Sequence, residues 1–358
     1  MKIGIATYHR AHNYGAVLQA IALRNVIEKM GHEAVFVDYW PKYHESKYKM
    51  FSWYKIYHAG FREIKNYLTV IIKYYKARKR RIEKFEAFFR KYTYPYCQSV
   101  NETYDVVIYG SDQIWRRQRE IKSYNPFYFG ANNLKTAMHI SYAASMGNLP
   151  KSQKEGDLIS RLVKHLKYIS VRENDLKAYL IDLGVSDVRV DIDPTLLISQ
   201  KEWEQMLTIA PYVTSPYALV YIMGGNGFNL SEIEKFAKAR QLKLIVLRGY
   251  ANTKETDNCI TTADPSEFLS LIKGASYVFS SSFHGVAFSV IFRKPFYASF
   301  LSNEGRARSL MEMLGIENRL LPPRSVIPNV ADIDYTKVDA MLSDMRQKSL
   351  QYFKIISK

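Results

Sequence analysis

Residues 2–38 read KIGIATYHRAHNYGAVLQAIALRNVIEKMGHEAVFVD, and this stretch decides the fold. Lys2 to Ala6 is an apolar run of strand length. Gly15 to Met30 repeats its apolar positions at helical spacing until Gly31, a residue that ends helices readily because it tolerates a left-handed backbone. Ala34 to Asp38 is a second strand-length apolar run. Strand, helix and strand in so short a span make a βαβ unit, in which the two strands run parallel.

The alternation continues outwards. Thr103 to Tyr109, Thr136 to Tyr142 and Tyr168 to Val171 read as strands, each running into a turn rich in Gly, Ser, Asn or Arg. A second series opens after Pro211 and Pro216, with strands at Ala218 to Ile222, Leu242 to Leu247, Tyr277 to Phe279 and Pro295 to Ala298. Helical patterns at Leu230 to Arg240, Pro265 to Lys273, Gly285 to Phe292 and Gly305 to Leu314 separate them. A chain of 358 residues also exceeds what one core usually serves. The expected fold class is α/β: two Rossmann-like domains facing across a cleft, with ligands at the carboxyl ends of the strands. The first domain is expected at 1–205, carrying a basic helical insert at 47–96, and the second at 206–330. Residues 331–358 hold a last helix, about Asp334 to Ile356, expected to pack back on the first domain.

Composition narrows the function classes. The chain is 47% hydrophobic, yet no stretch approaches the roughly 20 uninterrupted apolar residues that a membrane span needs. The start, MKIGIATYHR, enters a strand without an apolar signal block, so a cytoplasmic location is expected, peripheral on the inner face of the membrane where the basic insert meets lipid. Cys97 and Cys259 are too few for a disulfide framework and lack the paired spacing of a zinc site, and no metal is expected. The net charge of +17 is unevenly spread: Lys47 to Tyr96 holds 14 Lys and Arg against Glu63, Glu83 and Glu86, an excess of 11. Apolar positions there, among them Phe61, Ile64, Leu68, Ile72, Phe85 and Phe89, follow helical spacing, so two basic amphipathic helices are expected, with Lys76-Ala77-Arg78-Lys79-Arg80-Arg81 projecting from them. Such a run is either a solvated helical face or a dock for an anionic membrane surface. No nucleic-acid motif accompanies the charge, and no nucleic-acid partner is expected.

Six turns at strand ends hold the residues able to do chemistry. In His9-Arg10-Ala11-His12-Asn13-Tyr14-Gly15-Ala16, free backbone N–H groups at a helix start favour an anion, and Asn13 and Gly15 suit a tight cap. The glycine spacing of a Walker loop or dinucleotide fingerprint is absent. In Gly110-Ser111-Asp112-Gln113-Ile114-Trp115, Asp112 either caps the next segment or points into the cleft to take a proton from a sugar hydroxyl. Trp115 would offer sugars a flat apolar face. The small residues of Ser141-Tyr142-Ala143-Ala144-Ser145-Met146-Gly147 let backbone approach a ligand. In Ser170-Val171-Arg172-Glu173, Arg172 either grips a carboxylate or phosphate in a two-pronged bond or pairs with Glu173 or Asp175. In Asp191-Ile192-Asp193-Pro194-Thr195-Leu196-Leu197, Pro194 holds Asp193 out of helical geometry, which favours a structural role for that aspartate. The last turn, Ser280-Ser281-Ser282-Phe283-His284-Gly285, places His284 at a helix start. A lone histidine is commonly a packing residue. At a helix N-terminus, however, the dipole disfavours the imidazolium until an anion arrives, which suits a proton donor or anion contact.

Taken in order, NYGAVLQAIAL, YGSDQIW, SYAASMG, SVRE, DPTLL, SSSFHGVAFSVIFRKPF and RARSLMEMLGIENRL resemble the polysaccharide pyruvyl transferase family. The resemblance runs from about Ile3 to Leu321, and the basic insert lies outside its motifs. It implies a glycosyltransferase-B-like fold and transfer of pyruvate from phosphoenolpyruvate to two hydroxyls of a sugar, forming a cyclic ketal in capsule or exopolysaccharide biosynthesis. The implied partners are phosphoenolpyruvate, which is the donor substrate with no separate cofactor, and a sugar or lipid-linked oligosaccharide acceptor. The resemblance puts Arg172 at the donor as an anion clamp and His284 there as a phosphate contact or general acid. Asp112 is then the acceptor-side base, Asn13 and Gly15 form a loop closing over the ligands, and Ser282 and Trp115 contact substrate. One departure stands out: several relatives have Arg-Leu-His where this chain has Ser282-Phe283-His284. The missing donor-binding arginine leaves Arg248, Lys294, Arg306 and Arg308 as replacements. Two other functions share this architecture, a glycosyltransferase using a nucleotide-sugar donor and a non-catalytic scaffold of a polysaccharide assembly complex.

Overall fold

A computed structural model describes residues 1–302 and 304–357; Asn303 and Lys358, within the expected second domain and C-terminal segment, lie outside the described residues. Strands β1 (Lys2–Ala6), β2 (Glu33–Val37), β3 (Cys97–Gln98), β4 (Thr103–Tyr109) and β5 (Lys135–Ser141) form a parallel sheet in the order β3-β2-β1-β4-β5. β6 (Ile169–Val171) and β7 (Val188–Val190) pair with each other and extend this layer through bridges from Tyr168 to Ile140 and from Val171 to Ala144. β8 (Tyr217–Ile222), β9 (Lys243–Arg248), β10 (Cys259–Ile260), β11 (Tyr277–Ser280) and β12 (Phe296–Ala298) repeat the plan in the order β10-β9-β8-β11-β12. Each sheet starts at its centre, winds to one edge, then reverses. The reversals lie between β1 and β4 and between β8 and β11, and at such points a crevice opens beyond the carboxyl ends of the strands.

Local chemistry explains the elements. β8 reads YALVYI and is buried throughout, as a central parallel strand covered on both faces must be. Helix α1 (Tyr14–Lys29) starts where the Asn13 side chain accepts the Ala16 N–H at 3.3 Å, and buries most of its residues. It ends at Gly31, whose φ of +84° lets the Gly31 and His32 N–H groups turn back to Glu28 and Ile27. One apolar cluster runs through both domains, taking Ile3, Ile5, Val17 and Leu18 from the first and Leu219, Ile245, Val286 and Phe288 from the second. The short helix Pro194–Leu197 packs against α1, the helix Phe283–Ile291 and the C-terminal helix Tyr335–Tyr352. That last helix returns to the first sheet: Ser349 accepts the Ile192 N–H at 3.2 Å, and the Tyr352 hydroxyl donates to the Ser141 carbonyl at 2.6 Å.

The basic insert departs from the sequence expectation. α2 (Lys42–Tyr48) leads into the region, which in place of two helices folds as α3 (Trp53–His58), α4 (Phe61–Lys73) and α5 (Tyr75–Tyr92). Caps cut the pattern: Ser52 accepts the Lys55 N–H at 3.4 Å, and Glu63 reaches back to the Gly60 N–H at 3.2 Å. α5 plants Phe85, Phe88 and Phe89 in the core, whereas α3 and α4 bury none of their residues. Arg81, expected to project with its neighbours, turns inward instead. It donates to the Tyr14 hydroxyl at 2.7 Å, the Thr261 carbonyl at 3.0 Å and the His12 carbonyl at 3.3 Å, clamping the two domains. Among the described residues, no helix is long and apolar enough to cross a membrane, and no group of three or more His, Cys, Asp or Glu is arranged to hold a metal ion.

Candidate active site

The two reversal points face each other across a cleft of about 400 Å³. Tyr8, Asn13 and Asp112 line it from the first domain, Ser282, His284 and Arg306 from the second, and His44, Lys47 and Tyr48 of α2 close one wall. β11 ends at Ser280, whose hydroxyl accepts the Ser282 N–H at 3.1 Å and shapes the turn. The next helix starts at Phe283, which leaves the buried His284 in its first turn.

Opposite His284 stands Gly15. A Cβ on Gly15 would lie 1.8 Å from His284 Nδ1, so α1 and the histidine touch only because residue 15 has no side chain. Gly15 is therefore a contact between domains, not part of a loop closing over ligands. Asn13 does reach the cleft. The other polar residues of that first turn do not: His9 stacks on Phe36 at 5.1 Å, and burial, reinforced by Arg10, pushes its pKa down to about 3. His12 stacks on Phe85 at 5.0 Å.

Asp193 ties the site together. Its Oδ1 accepts the Thr195 N–H at 2.9 Å and hydroxyl at 2.7 Å. Its Oδ2 accepts the Ser111 hydroxyl at 3.1 Å and the Arg172 guanidinium, and lies 3.6 Å from His284 Nε2. Burial alone would raise this carboxyl, but Arg172 and His284 overcome burial and hold it well below the usual carboxylate range. Asp193 does shape its loop, as expected. It also joins the two residues assigned to the donor, one from each domain, and that role was not read from the sequence. Arg172 keeps a weaker pairing with Glu173, 4.0 Å from its Nε. Glu173 is itself buried and accepts the Ser145 hydroxyl; burial raises its pKa against the opposing pull of Arg172 and Ser145.

Arg306, from the helix Gly305–Met313, settles which of the four replacement cations reaches the cleft. Its guanidinium lies 5.6 Å from the Phe283 ring, and Arg172 lies 4.8 Å from that same ring. Burial, with the nearby Arg172 charge adding to it, lowers the Arg306 pKa to about 10. The other three lie elsewhere. Lys294 precedes β12 at the opposite end of the strands, its carbonyl accepting the Tyr335 hydroxyl at 2.6 Å. Arg308 is exposed and paired with Glu304 at 2.7 Å, and Arg248 closes β9 outside the lining. Nε and Nη2 of Arg172, Nε of Arg306 and Nε2 of His284 are buried with no hydrogen-bond partner among the described residues.

Asp112 is in the cleft wall, with Oδ1 accepting the Gln113 N–H at 2.7 Å. Trp115 is not a sugar platform. It is fully buried, stacks on Phe129 at 4.9 Å and donates its indole N–H to the Tyr128 carbonyl at 2.8 Å. The apolar strand before it carries the chain inward, so the tryptophan serves the core. Sequence reasoning missed Tyr8, Lys47, Tyr48 and Arg116 in the lining. Nothing in the insert marked Lys47 or Tyr48. The Asp-Pro-Thr cap did mark Asp193 as fixed in place.

The family model of polysaccharide pyruvyl transferase matches residues 13–299. No curated protein matches the chain in sequence. Among solved structures, the Methanocaldococcus jannaschii UDP-GlcNAc 2-epimerase in complex with UDP-GlcNAc and UDP is similar over 100% of this chain and 99% of its own, at 12% identity and a TM-score of 0.47. The Neisseria meningitidis UDP-GlcNAc 2-epimerase bound to UDP-GlcNAc is similar over 99% and 94%, at 11% identity and a TM-score of 0.44.

Proposed function

The chain belongs to the polysaccharide pyruvyl transferase family, and from that premise we propose that its cleft transfers pyruvate from phosphoenolpyruvate to two hydroxyls of a sugar in a polysaccharide precursor, probed below as a lipid-linked acceptor. The observation that carries this reading is Arg306 in the cleft lining beside Phe283 and His284, with Arg172 buried against the same ring outside the lining and guanidinium nitrogens of both left unpaired. Phosphoenolpyruvate presents a carboxylate and a phosphate, and two planar guanidinium groups suit two such anions. Arg306 takes the place of the arginine absent at Ser282.

The chemistry follows from what each wall offers. Asp112 accepts the proton of the first sugar hydroxyl as its oxygen bonds to the enol carbon. The adjacent methylene carbon gains a proton from His284 and becomes a methyl group, while Arg306 holds the negative charge of the donor and the buried Arg172 adds its field from outside the lining. The second hydroxyl then bonds to the same carbon, the carbon–oxygen bond to phosphate breaks, and the second proton leaves with the phosphate. The product is a cyclic ketal. Asn13 and Ser282 line the space between the walls and orient the acceptor.

The test is phosphate release from phosphoenolpyruvate by the purified protein, across a panel of galactose- and mannose-type lipid-linked acceptors. Release with one acceptor is expected, falling at least about a hundredfold in Arg306→Ala, a loss typical of removing one charge-stabilising donor. No release with any acceptor would overturn the donor assignment.

A further inference from the structure

We propose that the outer face of α3, α4 and the start of α5 docks the protein on an anionic lipid bilayer, beside the mouth of the cleft. The exposed large apolar side chains are concentrated there: Trp53 is 68% exposed, Tyr57 85%, Phe61 86% and Ile72 79%. Phe61, Leu68 and Ile72 stand at i, i+7 and i+11 on α4, all within about 40° of one another around the helix, so they form one stripe. Neither α3 nor α4 buries a residue, so this stripe has no partner within the chain's core.

Charge selects the occupant. Arg62, Lys65, Lys73, Lys76, Lys79 and Arg80 are exposed around the stripe, against Glu63 and Glu83. A second copy seated on this face through a two-fold axis would set that positive excess against itself. An anionic bilayer is complementary to it, taking the aromatic and aliphatic side chains at headgroup depth and the cations on lipid phosphates. The location gives the docking a purpose. Lys47 lines both the catalytic cleft and a cavity of about 250 Å³ beneath α3 and α4, which Tyr54, Ile64 and Tyr67 also line. The docking face thus adjoins the cleft at Lys47. The inference does not depend on the identity of the donor.

The experiment is co-sedimentation of the full chain with vesicles of phosphatidylcholine alone, and with about one third phosphatidylglycerol added. Binding is expected on the anionic vesicles only, weakening as salt rises. Lys76→Gln with Lys79→Gln and Arg80→Gln should weaken it at least about tenfold, and Trp53→Ser with Phe61→Ser and Ile72→Ser by a similar factor that persists at high salt. All six side chains are exposed, so both variants should keep the wild-type melting temperature. Three results would overturn the proposal: no binding to anionic vesicles, binding that the apolar variant leaves unchanged, or a wild-type dimer in solution that the apolar variant makes monomeric.

Discussion

Arg80 and Arg81 are adjacent on α5 and do opposite things. Arg80 faces solvent at the rim of the docking face; Arg81 is buried with three oxygen partners, two of them on the first domain and one on the second. The contrast extends to the regions they represent. In the seam between domains, Arg81 and Arg172 are buried on fixed partners, Arg172 on Asp193. In the outer insert cations are many, and the nearby carboxylates are few. Counting charge along the chain weights the insert heavily and the seam hardly at all. A buried cation with a defined partner is nonetheless the one whose loss is felt, because its partner would stay behind uncompensated.

The contrast is broken most easily at Asp193. Asp193→Ala leaves Arg172 buried without its counter-ion and frees His284, and removing one partner of a buried pair costs about 3–5 kcal/mol. A large fall in melting temperature is expected, together with loss of turnover. Near-wild-type stability would mean that Arg172 is balanced elsewhere, by Glu173. Gly15→Ala comes next. Its methyl group would overlap the His284 ring, so either the ring or α1 must shift. Overpacking of this kind costs about 1–3 kcal/mol, and activity should fall further than stability because the displaced group lines the cleft. The comparison within α5 is sharpened by Arg81→Gln and Arg80→Gln as a matched pair. Thermal unfolding should show a loss of about 2 kcal/mol for Arg81→Gln and a change within about 0.5 kcal/mol for Arg80→Gln. Equal effects would place Arg81 with the surface run after all.

Much of this was legible in sequence because periodicity reports burial. The apolar strand YALVYI and the helix ending at Gly31 both lie where their patterns place them. His284 and Asn13 were marked by standing where a strand turns into a helix and Asp112 by following an apolar strand, and the reversals of sheet order bring those turns together in one cleft. What escaped was anything set by contacts distant in sequence. Whether Trp115 faces a ligand or the core depends on Phe129 and Tyr128. Which of the four cations reaches the cleft depends on where the helix Gly305–Met313 crosses it, and Arg306 and Arg308, two residues apart, point to different places. The double role of Asp193 is set by Arg172 of the first domain and His284 of the second.

The smallest expected effect tests the insert from within. Lys55 donates to the Lys47 carbonyl at 3.3 Å and lies over the Tyr67 ring at 5.1 Å. Burial, then the charges of Arg78 and Lys47, lower its pKa to about 8, and Glu120 only partly opposes them. An unfolded lysine titrates near 10.4, so between about pH 8 and pH 10.4 the unfolded chain binds more protons than the folded one, and stability rises with pH across that window. Below about pH 8 the charged Lys55 weighs against folding. Lys55→Gln removes that penalty: its melting temperature at pH 7 should exceed the wild type's by about 1–2 °C, and the wild type's gain above pH 8 should flatten. The shift is small because the amine keeps partial access to water. A lower melting temperature for Lys55→Gln at pH 7 would mean that this cation is held by counter-charge as firmly as Arg172, and the insert would then follow the same rule as the seam.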